Sequence, residues 1–294
     1  MLGCLTIALL AIARPHAAEA AGCRGGALRP DLIAEPPSYV ALQREEGASG
    51  PRFLAVFRSG FRNMGRGRLE LVGRRPSSSA RMRSTQVVDC ASGASRVSRD
   101  IGRMRYVRRP THQHWHIKDF ARYTLRSLTG TISQSARKAG FCMGDSVDPQ
   151  RPIAGKPPAP GFAPNRGSAC GAGRADALRV REGLSVGWGD AYDPFVEGQF
   201  VDLTGMPGGQ YRILNEVDPL QRLADARNGN DVAGTDVTVS WPDGREAQPV
   251  FQTTGTCEGR AACATSAPSR SAGTEGAARL GRPQPALGGW FTAG

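Results

Sequence analysis

The sequence is poor in aromatic residues and in histidine, and it lacks a long apolar run. Only 6% of its 294 residues are aromatic, and only four are histidine. The apolar run at residues 2–13 is shorter than the roughly 20 residues that a membrane-spanning helix needs, so we expect no transmembrane span. Glycine and proline are plentiful instead, at 38 and 21 residues, and this composition predicts extensive turns and irregular loops.

Short segments of alternating apolar and polar residues predict an all-β fold. We predict four early strands that are separated by Gly, Pro and Ser clusters, at residues 53–61, 69–72, 85–90 and 103–107. Two later pairs of strand-like runs predict hairpins, one over residues 199–217 and one over residues 237–251. A single β-sandwich with long irregular loops, stabilised by disulfides, accounts for this pattern.

We divide the chain into three parts. Residues 1–22 indicate a signal peptide, because the apolar run is followed by the small residues of a cleavage site. Residues 23–260 are expected to form the β-sandwich domain, and residues 261–294, which have few apolar anchors, a disordered C-terminal tail. The protein is therefore predicted to be secreted. A lipid anchor at Cys23 is the alternative, because Ala-Ala-Gly-Cys is similar to an acylation site.

Six cysteines remain once Cys4 is assigned to the signal peptide, and an even number in an exported chain indicates disulfides. The sequence alone does not fix their connectivity. We predict one pair between Cys142 and Cys170, across a loop rich in Pro and Gly. A second pair is predicted between Cys257 and Cys263, in a tight loop.

The formal net charge of +12 comes mostly from arginine. Such a surface keeps a protein soluble, and it is also compatible with adhesion to an anionic cell wall or polysaccharide. No basic run is interleaved with aromatic residues as in a nucleic-acid groove, so we do not expect nucleic acid as a partner.

Three of the four histidines lie in one pentapeptide, as His112, His114 and His116. The fourth, His16, belongs to the predicted signal peptide. Alternate residues of a strand share one face, so the three imidazoles are expected on the same side. A flat strand would hold the outer two too far apart for one ion, so we expect a curled strand or a bulge. Three imidazoles with open positions suit Cu(II), and Zn(II) is the chemical competitor.

Several blocks of the chain resemble the lysyl oxidase family. Residues 112–125, HQHWHIKDFARYTL, resemble its copper-binding segment. Residues 137–142, RKAGFC, and 183–192, GLSVGWGDAY, are similar to the segments that carry the lysine and the tyrosine of its quinone cofactor. The stretches QFVDLT and PGGQY, within residues 199–211, match the next strand and turn. The resemblance covers roughly residues 29–250.

This resemblance implies a copper- and quinone-dependent amine oxidase. His112, His114 and His116 would hold Cu(II), and Lys138 and Tyr192 would be cross-linked as lysine tyrosylquinone. The enzyme would use O2 to convert primary amines, including peptidyl lysine, into aldehydes, with release of ammonia and hydrogen peroxide. The chain lacks the extra domains of animal members, so it resembles a bacterial-type, single-domain form.

No histidine is left to accept the substrate proton, so we expect an aspartate in that role. The candidates are Asp119, Asp190 and Asp202, and we prefer Asp190 because it lies close to Tyr192 in the sequence. Trp188 stands where animal members have a cysteine, so the disulfide scaffold differs. The positive net charge favours small amines or isolated peptidyl lysines over a cationic polymer.

One alternative function keeps only the metal. A secreted or cell-envelope protein that binds copper or zinc without catalysis would need the three histidines. In such a protein Lys138 and Tyr192 would be incidental.

Overall fold

A computed structural model describes residues 23–264, apart from residues 110–111, 130, 137, 139, 164–168 and 197. The predicted signal peptide, and residues 265–294 of the predicted tail, lie outside the described residues. Among the described residues, no helix has the length and apolar character to span a membrane.

The described chain is almost entirely β-structure, which confirms the predicted fold class. Its strands are β1 Ala27–Leu28, β2 Leu32–Ala34, β3 Ser38–Gly47, β4 Gly50–Asn63, β5 Leu69–Arg74, β6 Met82–Cys90, β7 Ser95–Tyr106, β8 Trp115–Lys118, β9 Ala121–Ser127, β10 Ser133–Ser135, β11 Gly140–Phe141, β12 Arg179–Leu184, β13 Gly189–Tyr192, β14 Phe200–Asp202, β15 Gly209–Val217, β16 Val232–Ser240 and β17 Val250–Glu258. A short helix, α1, spans Arg260–Ala264.

The strands form three antiparallel sheets. The first has the order β11-β8-β7-β6-β5-β12, with β1 paired to β6. The second has the order β10-β9-β15-β16-β17. In the third, the long strand β4 pairs with β13, β14, β2 and β3. Strand β8 of the first sheet carries His116, and strands β13 and β14 of the third carry Asp190, Tyr192 and Asp202.

One hydrophobic core joins the three sheets. Phe53, Phe57 and Phe61 alternate in phase along β4, so their rings lie on one face, and each is at most 1% exposed. The ring of Phe57 meets Tyr123 of β9 edge to face at 5.2 Å, and that of Phe61 meets Phe120 at 4.9 Å. These ring contacts pack β4 of the third sheet against the segment that follows β8, and they form the buried core next to the predicted site residues.

Most predicted strands are present, but the hairpin predicted over residues 199–217 is wrong. Strand β14 pairs with β4, with Phe200 opposite Val56, whereas β15 lies between β9 and β16. The intervening turn therefore carries the chain from one sheet to another. Alternating patterns alone do not distinguish such a crossing from a hairpin. The hairpin over residues 237–251 is confirmed by the pairing of β16 with β17.

The six described cysteines form three disulfides. The predicted pairs Cys142–Cys170 and Cys257–Cys263 are confirmed. The third joins Cys23 to Cys90 and fixes the start of the described chain to the end of β6. A cysteine in a disulfide has no thiol to acylate, so this pairing opposes the lipid-anchor alternative.

The C-terminal part of the described chain remains folded past residue 260, where the predicted domain ends. Helix α1 lies next to β16 and β17, and Cys263 within it is buried by its disulfide to Cys257. Residues 261–264 therefore belong to the folded part of the chain.

Candidate metal centre and its surroundings

The three histidines converge on one point. The closest ring nitrogens of His112, His114 and His116 all lie within 4.8 Å of one another. The Nε2 atoms of His114 and His116 are 2.9 Å apart. Two nitrogens bound at right angles to one ion, with bonds of about 2.0 Å, would be separated by about the same distance. The arrangement therefore fits a divalent ion held by imidazoles.

The convergence comes from a bend in the chain and not from a single strand face. His112 forms an isolated antiparallel bridge with Arg109, and β8 begins only at Trp115. Only His116 is in a regular strand, so the expectation of three histidines along one strand is wrong. The backbone bend at residue 114 brings the three rings together, as the predicted curling required.

Trp115 points away from the histidines and anchors this bend. Its Nε1 donates a hydrogen bond to the carbonyl of Arg174 at 2.9 Å, and its ring meets Tyr106 edge to face at 5.6 Å. The backbone N–H of Trp115 donates to the carbonyl of Cys170 at 3.0 Å. The loop closed by the Cys142–Cys170 disulfide thus supports the segment that carries the imidazoles.

His116 is held in the neutral form that a metal ligand requires. Burial, together with the nearby His114 and Lys138, lowers the pKa of His116 to about 2. Its side chain is 9% exposed and that of His114 is 6% exposed. Neutral imidazoles that are oriented by a rigid backbone are ready metal donors.

Lys138 and Tyr192 lie against each other beside this centre. The Nζ atom of Lys138 is 4.6 Å from the centroid of the Tyr192 ring and 5.1 Å from that of Phe141. Lys138 is 7% exposed, and Tyr192 is 2% exposed. Lys138 is also one of only three lysines in the chain. A buried amine on a phenol ring is the juxtaposition that a lysine–tyrosine cross-link needs.

The Tyr192 ring is fixed from several sides. Its hydroxyl donates a hydrogen bond to the carbonyl of Cys142 at 2.9 Å. The Phe141 ring meets it edge to face at 5.3 Å, and the Phe61 ring lies 6.0 Å away. Sequence analysis did not assign Phe141 a role, although it lies next to Cys142 in the block around Lys138.

Two glycines allow the backbone to pack closely against His116 and Lys138. A Cβ atom at Gly140 would lie 2.9 Å from Nδ1 of His116, so a larger residue would displace the imidazole. Gly198 has a φ of +75°, and a Cβ atom there would lie 3.2 Å from the backbone nitrogen of Lys138. The chain therefore passes closely around both side chains.

The three candidate proton acceptors differ in position. Asp190 and Tyr192 are two residues apart on β13 and share one face. The Oδ1 atom of Asp190 accepts hydrogen bonds from the hydroxyl of Ser146 at 2.6 Å and the N–H of Ala191 at 3.0 Å. Asp119 is exposed in the turn after β8, and Asp202 is paired with Arg52 at 2.7 Å.

A buried carboxyl group next to Met143 and Cys170 was not predicted from the sequence. Glu182 of β12 is 1% exposed, and its Oε2 accepts a hydrogen bond from the N–H of Met143 at 3.1 Å. Burial, reinforced by the charge of Asp190, raises the pKa of Glu182 well above its usual value. The signal was its alternation with Val180 and Leu184, which places all three on the inner face.

A cavity of about 830 Å³ opens beside the metal centre. His112, His116 and Lys138 line its inner part, with Gly140 and Gly198. This volume lies within the range of small-molecule sites, so the cavity can admit a substrate to the lysine and the imidazoles.

The comparisons with known proteins point to one family, although no family model matches the chain. The chain is 28% identical over 135 residues to lysyl oxidase homolog 2 of Xenopus tropicalis, which is 45% of this chain and 15% of that protein. It is 27% identical over 132 residues to lysyl oxidase homolog 4 of Mus musculus, and 28% identical over 132 residues to that of Homo sapiens, with the same coverage. The chain thus spans about 15% of the length of the curated relatives it matches. Its resemblance to the lysyl oxidase family is confirmed.

Proposed function

We propose that this lysyl-oxidase-like chain is a secreted, copper-dependent amine oxidase, with residues 23–260 as its catalytic domain. A primary amine, O2 and water would give an aldehyde, ammonia and hydrogen peroxide. The observation that carries the proposal is the contact of the Lys138 amine with the Tyr192 ring, next to three convergent imidazoles. A protein that only stores a metal has no need of this pair.

His112, His114 and His116 would hold Cu(II). Their donor set is neutral and convergent, and three imidazoles leave further coordination positions for other ligands. Bound copper with O2 would supply the oxidation of the Tyr192 phenol and its cross-linking to Lys138 as lysine tyrosylquinone.

In this proposal, the fold fixes the position of Tyr192 relative to Lys138. The hydrogen bond to Cys142 and the flanking phenylalanine rings hold Tyr192 in one orientation, so the same part of its ring always faces Lys138. Burial disfavours the charged form of an amine, and only a neutral amine adds to an oxidised ring. The protein thus supplies orientation and a water-poor environment for chemistry that the cofactor carries out.

Asp190 would accept the α-proton of the substrate. It lies on the same strand face as Tyr192, and its hydrogen bonds from Ser146 and Ala191 fix one of its oxygens. Asp202 is engaged by Arg52, and Asp119 is turned to solvent, so neither is as well placed. A positioned proton acceptor contributes on the order of 10²–10⁴-fold to a rate.

Three disulfides within the described residues favour an oxidising compartment. They support export of the protein, in accord with the signal peptide that the sequence predicts. A free cysteine thiol at position 23 in the mature protein would contradict this part of the proposal.

The first experiment measures copper content and peroxide release in the same samples. We expect one copper per chain and peroxide release from a primary amine after copper loading in air. His114→Ala should lose both properties, whereas the neighbouring control Gln113→Ala should keep both. Stoichiometric copper with no peroxide from any primary amine would contradict the enzyme and favour the non-catalytic copper- or zinc-binding protein.

A further inference from the structure

The outer part of the cavity is cationic. Four of its lining residues carry a positive charge, namely Arg105, Arg108, Arg109 and Lys118. Among the described residues, no Asp or Glu lines it. The positive net charge of the whole protein is therefore matched by a local concentration of positive charge at the entrance to the proposed active site.

The fold fixes these cations close to the imidazoles. Arg105 lies on β7 directly opposite His116 of β8 in the strand register. Arg108 and Arg109 follow in the connection that leads to His112, and Arg109 bridges to His112 through the backbone. The arginines thus lie on the strand that pairs with β8 and on the connection that leads to His112.

The side chains of Arg105, Arg108 and Arg109 are exposed to solvent. The guanidinium of Arg108 lies 5.7 Å from the Tyr106 ring centroid, which restricts its orientation. Within the described part of the chain, neither Arg105 nor Arg108 forms an ion pair. Arginine matches carboxylate and phosphate groups with two parallel hydrogen bonds, so these side chains can recognise such groups by geometry as well as by charge.

Apolar surface also lines the cavity. It is contributed by Tyr106, Val107 and Phe200, together with glycines. Methylene groups can pack on such a wall, whereas a second charge in the middle of a ligand would lose its water without a partner. The cavity therefore combines cations that can bind an anionic group, apolar surface that can bind a carbon chain, and the side chain of Lys138.

We infer that the substrate is a primary amine that carries a carboxylate or phosphate several carbon atoms from its nitrogen. The arginines bind the anionic group, and the amine reaches the site of Lys138 and Tyr192. This inference rests on the proposed function and names its substrate class. Diamines and polylysine carry a second positive charge towards the arginines and are poor substrates for the same reason.

The kinetic test compares three amines of equal chain length with copper-loaded protein. Aminohexanoate ends in a carboxylate, hexylamine in a methyl group, and diaminohexane in a second amine. We expect kcat/KM to fall in that order at low salt, by about tenfold at each step, with most of the change in KM. Equal values for the three, or the reverse order, would overturn the inference.

The double variant R105Q/R108Q should remove the preference for aminohexanoate and leave the rate with hexylamine within about twofold. The matched control is R44Q/R83Q, which removes the same net charge at exposed sites away from the cavity. The control should keep the preference. If it loses the preference as fully as the cavity variant does, the effect belongs to net charge, and the inference fails.

A binding measurement separates this inference from the oxidase itself. Glutarate has two carboxylates and no amine, and calorimetry on the full chain without metal should show one saturable site that the cavity variant lacks. If glutarate binds in this way but no amine is oxidised, the proposed function fails and the anion site stands. If amines are oxidised but glutarate does not bind, or binds the cavity variant equally well, the inference fails and the oxidase stands.

Discussion

The Nζ atom of Lys138 lies 4.6 Å from the centroid of the Tyr192 ring, although the two residues belong to separate parts of the sheet system. Lys138 precedes the short strand β11 at the edge of the first sheet, and Tyr192 ends β13 in the third. The sandwich brings these two edges together next to the histidines. The relationship is a product of tertiary packing and is the basis of the proposed chemistry.

Tyr192→Phe should abolish amine oxidation and leave copper binding intact. The variant keeps the ring in its packed position but has no phenol to oxidise. Loss of the hydrogen bond to Cys142 should lower the free energy of unfolding by about 1 kcal/mol. Peroxide release, copper content and chemical denaturation check the three effects.

The matched control is Tyr123→Phe. Tyr123 is equally buried, and its hydroxyl lies 2.6 Å from that of Ser59, so the stability loss should be similar. Activity should persist in this control. A Tyr192→Phe protein that still oxidises amines would contradict the role of Tyr192.

Asp190→Asn should lower kcat by about a hundredfold or more, because an amide cannot accept the substrate proton. KM and copper content should change little, since the amide oxygen can still accept the hydrogen bonds from Ser146 and Ala191. Steady-state kinetics over a range of amine concentrations separate the two constants. Asp202→Asn is the comparison, and an equal loss of kcat in both variants would argue against a specific role for Asp190.

Removal of the Cys142–Cys170 disulfide should destabilise the protein more than removal of Cys257–Cys263. The first disulfide joins cysteines that are 28 residues apart in the sequence, and the second joins cysteines that are 6 residues apart. Loop-closure entropy predicts losses of about 3–4 and about 2 kcal/mol, respectively. Double Cys→Ser variants, measured by urea denaturation, test the order. Copper affinity should also fall in the first variant only, because this loop supports Trp115.

The contribution of Asp225 to the stability of the protein should decrease as the pH rises from about 5 to 8. Burial, with help from the charges of Asp31 and Asp231, raises the pKa of Asp225 to about 8 from 3.8. Between these values the folded state binds the proton and the unfolded state has released it. From Asp225 alone, the free energy of unfolding should therefore fall by roughly 1 kcal/mol per pH unit in this window, whereas the lowered pKa of His116 acts in the opposite direction below its ordinary pKa.

Asp225→Asn should remove this contribution. The amide oxygen can still accept the hydrogen bonds from the N–H groups of Leu32 and Ala226, and it does not titrate. Asp148→Asn, a change at a carboxylate paired with Lys156 on the surface, should leave the slope unchanged. Urea denaturation at several pH values gives the comparison. The same pH dependence in the wild type and in Asp225→Asn would assign the slope to other groups.

The local parts of the fold could be predicted from the sequence. Alternation along β4, β5 and β6 gave the strands because each has one buried face, and the spacing of the cysteines gave two disulfides. The pairing of β14 with β4 could not be predicted, since the pattern of a strand does not reveal its partner. The disulfide Cys23–Cys90 also depends on tertiary structure, as its cysteines are 67 residues apart.

The candidate site was only partly accessible to sequence reasoning. Histidine spacing indicated a metal and a bent chain, but the bend itself depends on the backbone bridge between Arg109 and His112 and on the hydrogen bonds of Trp115. Lys138 and Tyr192 were identified as site residues from the resemblance to the lysyl oxidase family, because no local pattern distinguishes them from other buried residues. The cluster of positive charges at the cavity could not be predicted, because arginine occurs throughout the sequence. Only the register of β7 and β8 places Arg105 opposite His116.

Mass spectrometry of tryptic peptides from copper-loaded protein, matured in air, tests the central claim most directly. The account predicts a cross-linked species containing Lys138 and Tyr192. Its mass should equal that of the two peptides plus one oxygen atom and minus four hydrogen atoms. The species should be missing when copper or O2 is withheld. Recovery of both peptides unmodified from fully copper-loaded, aerated protein would contradict the account.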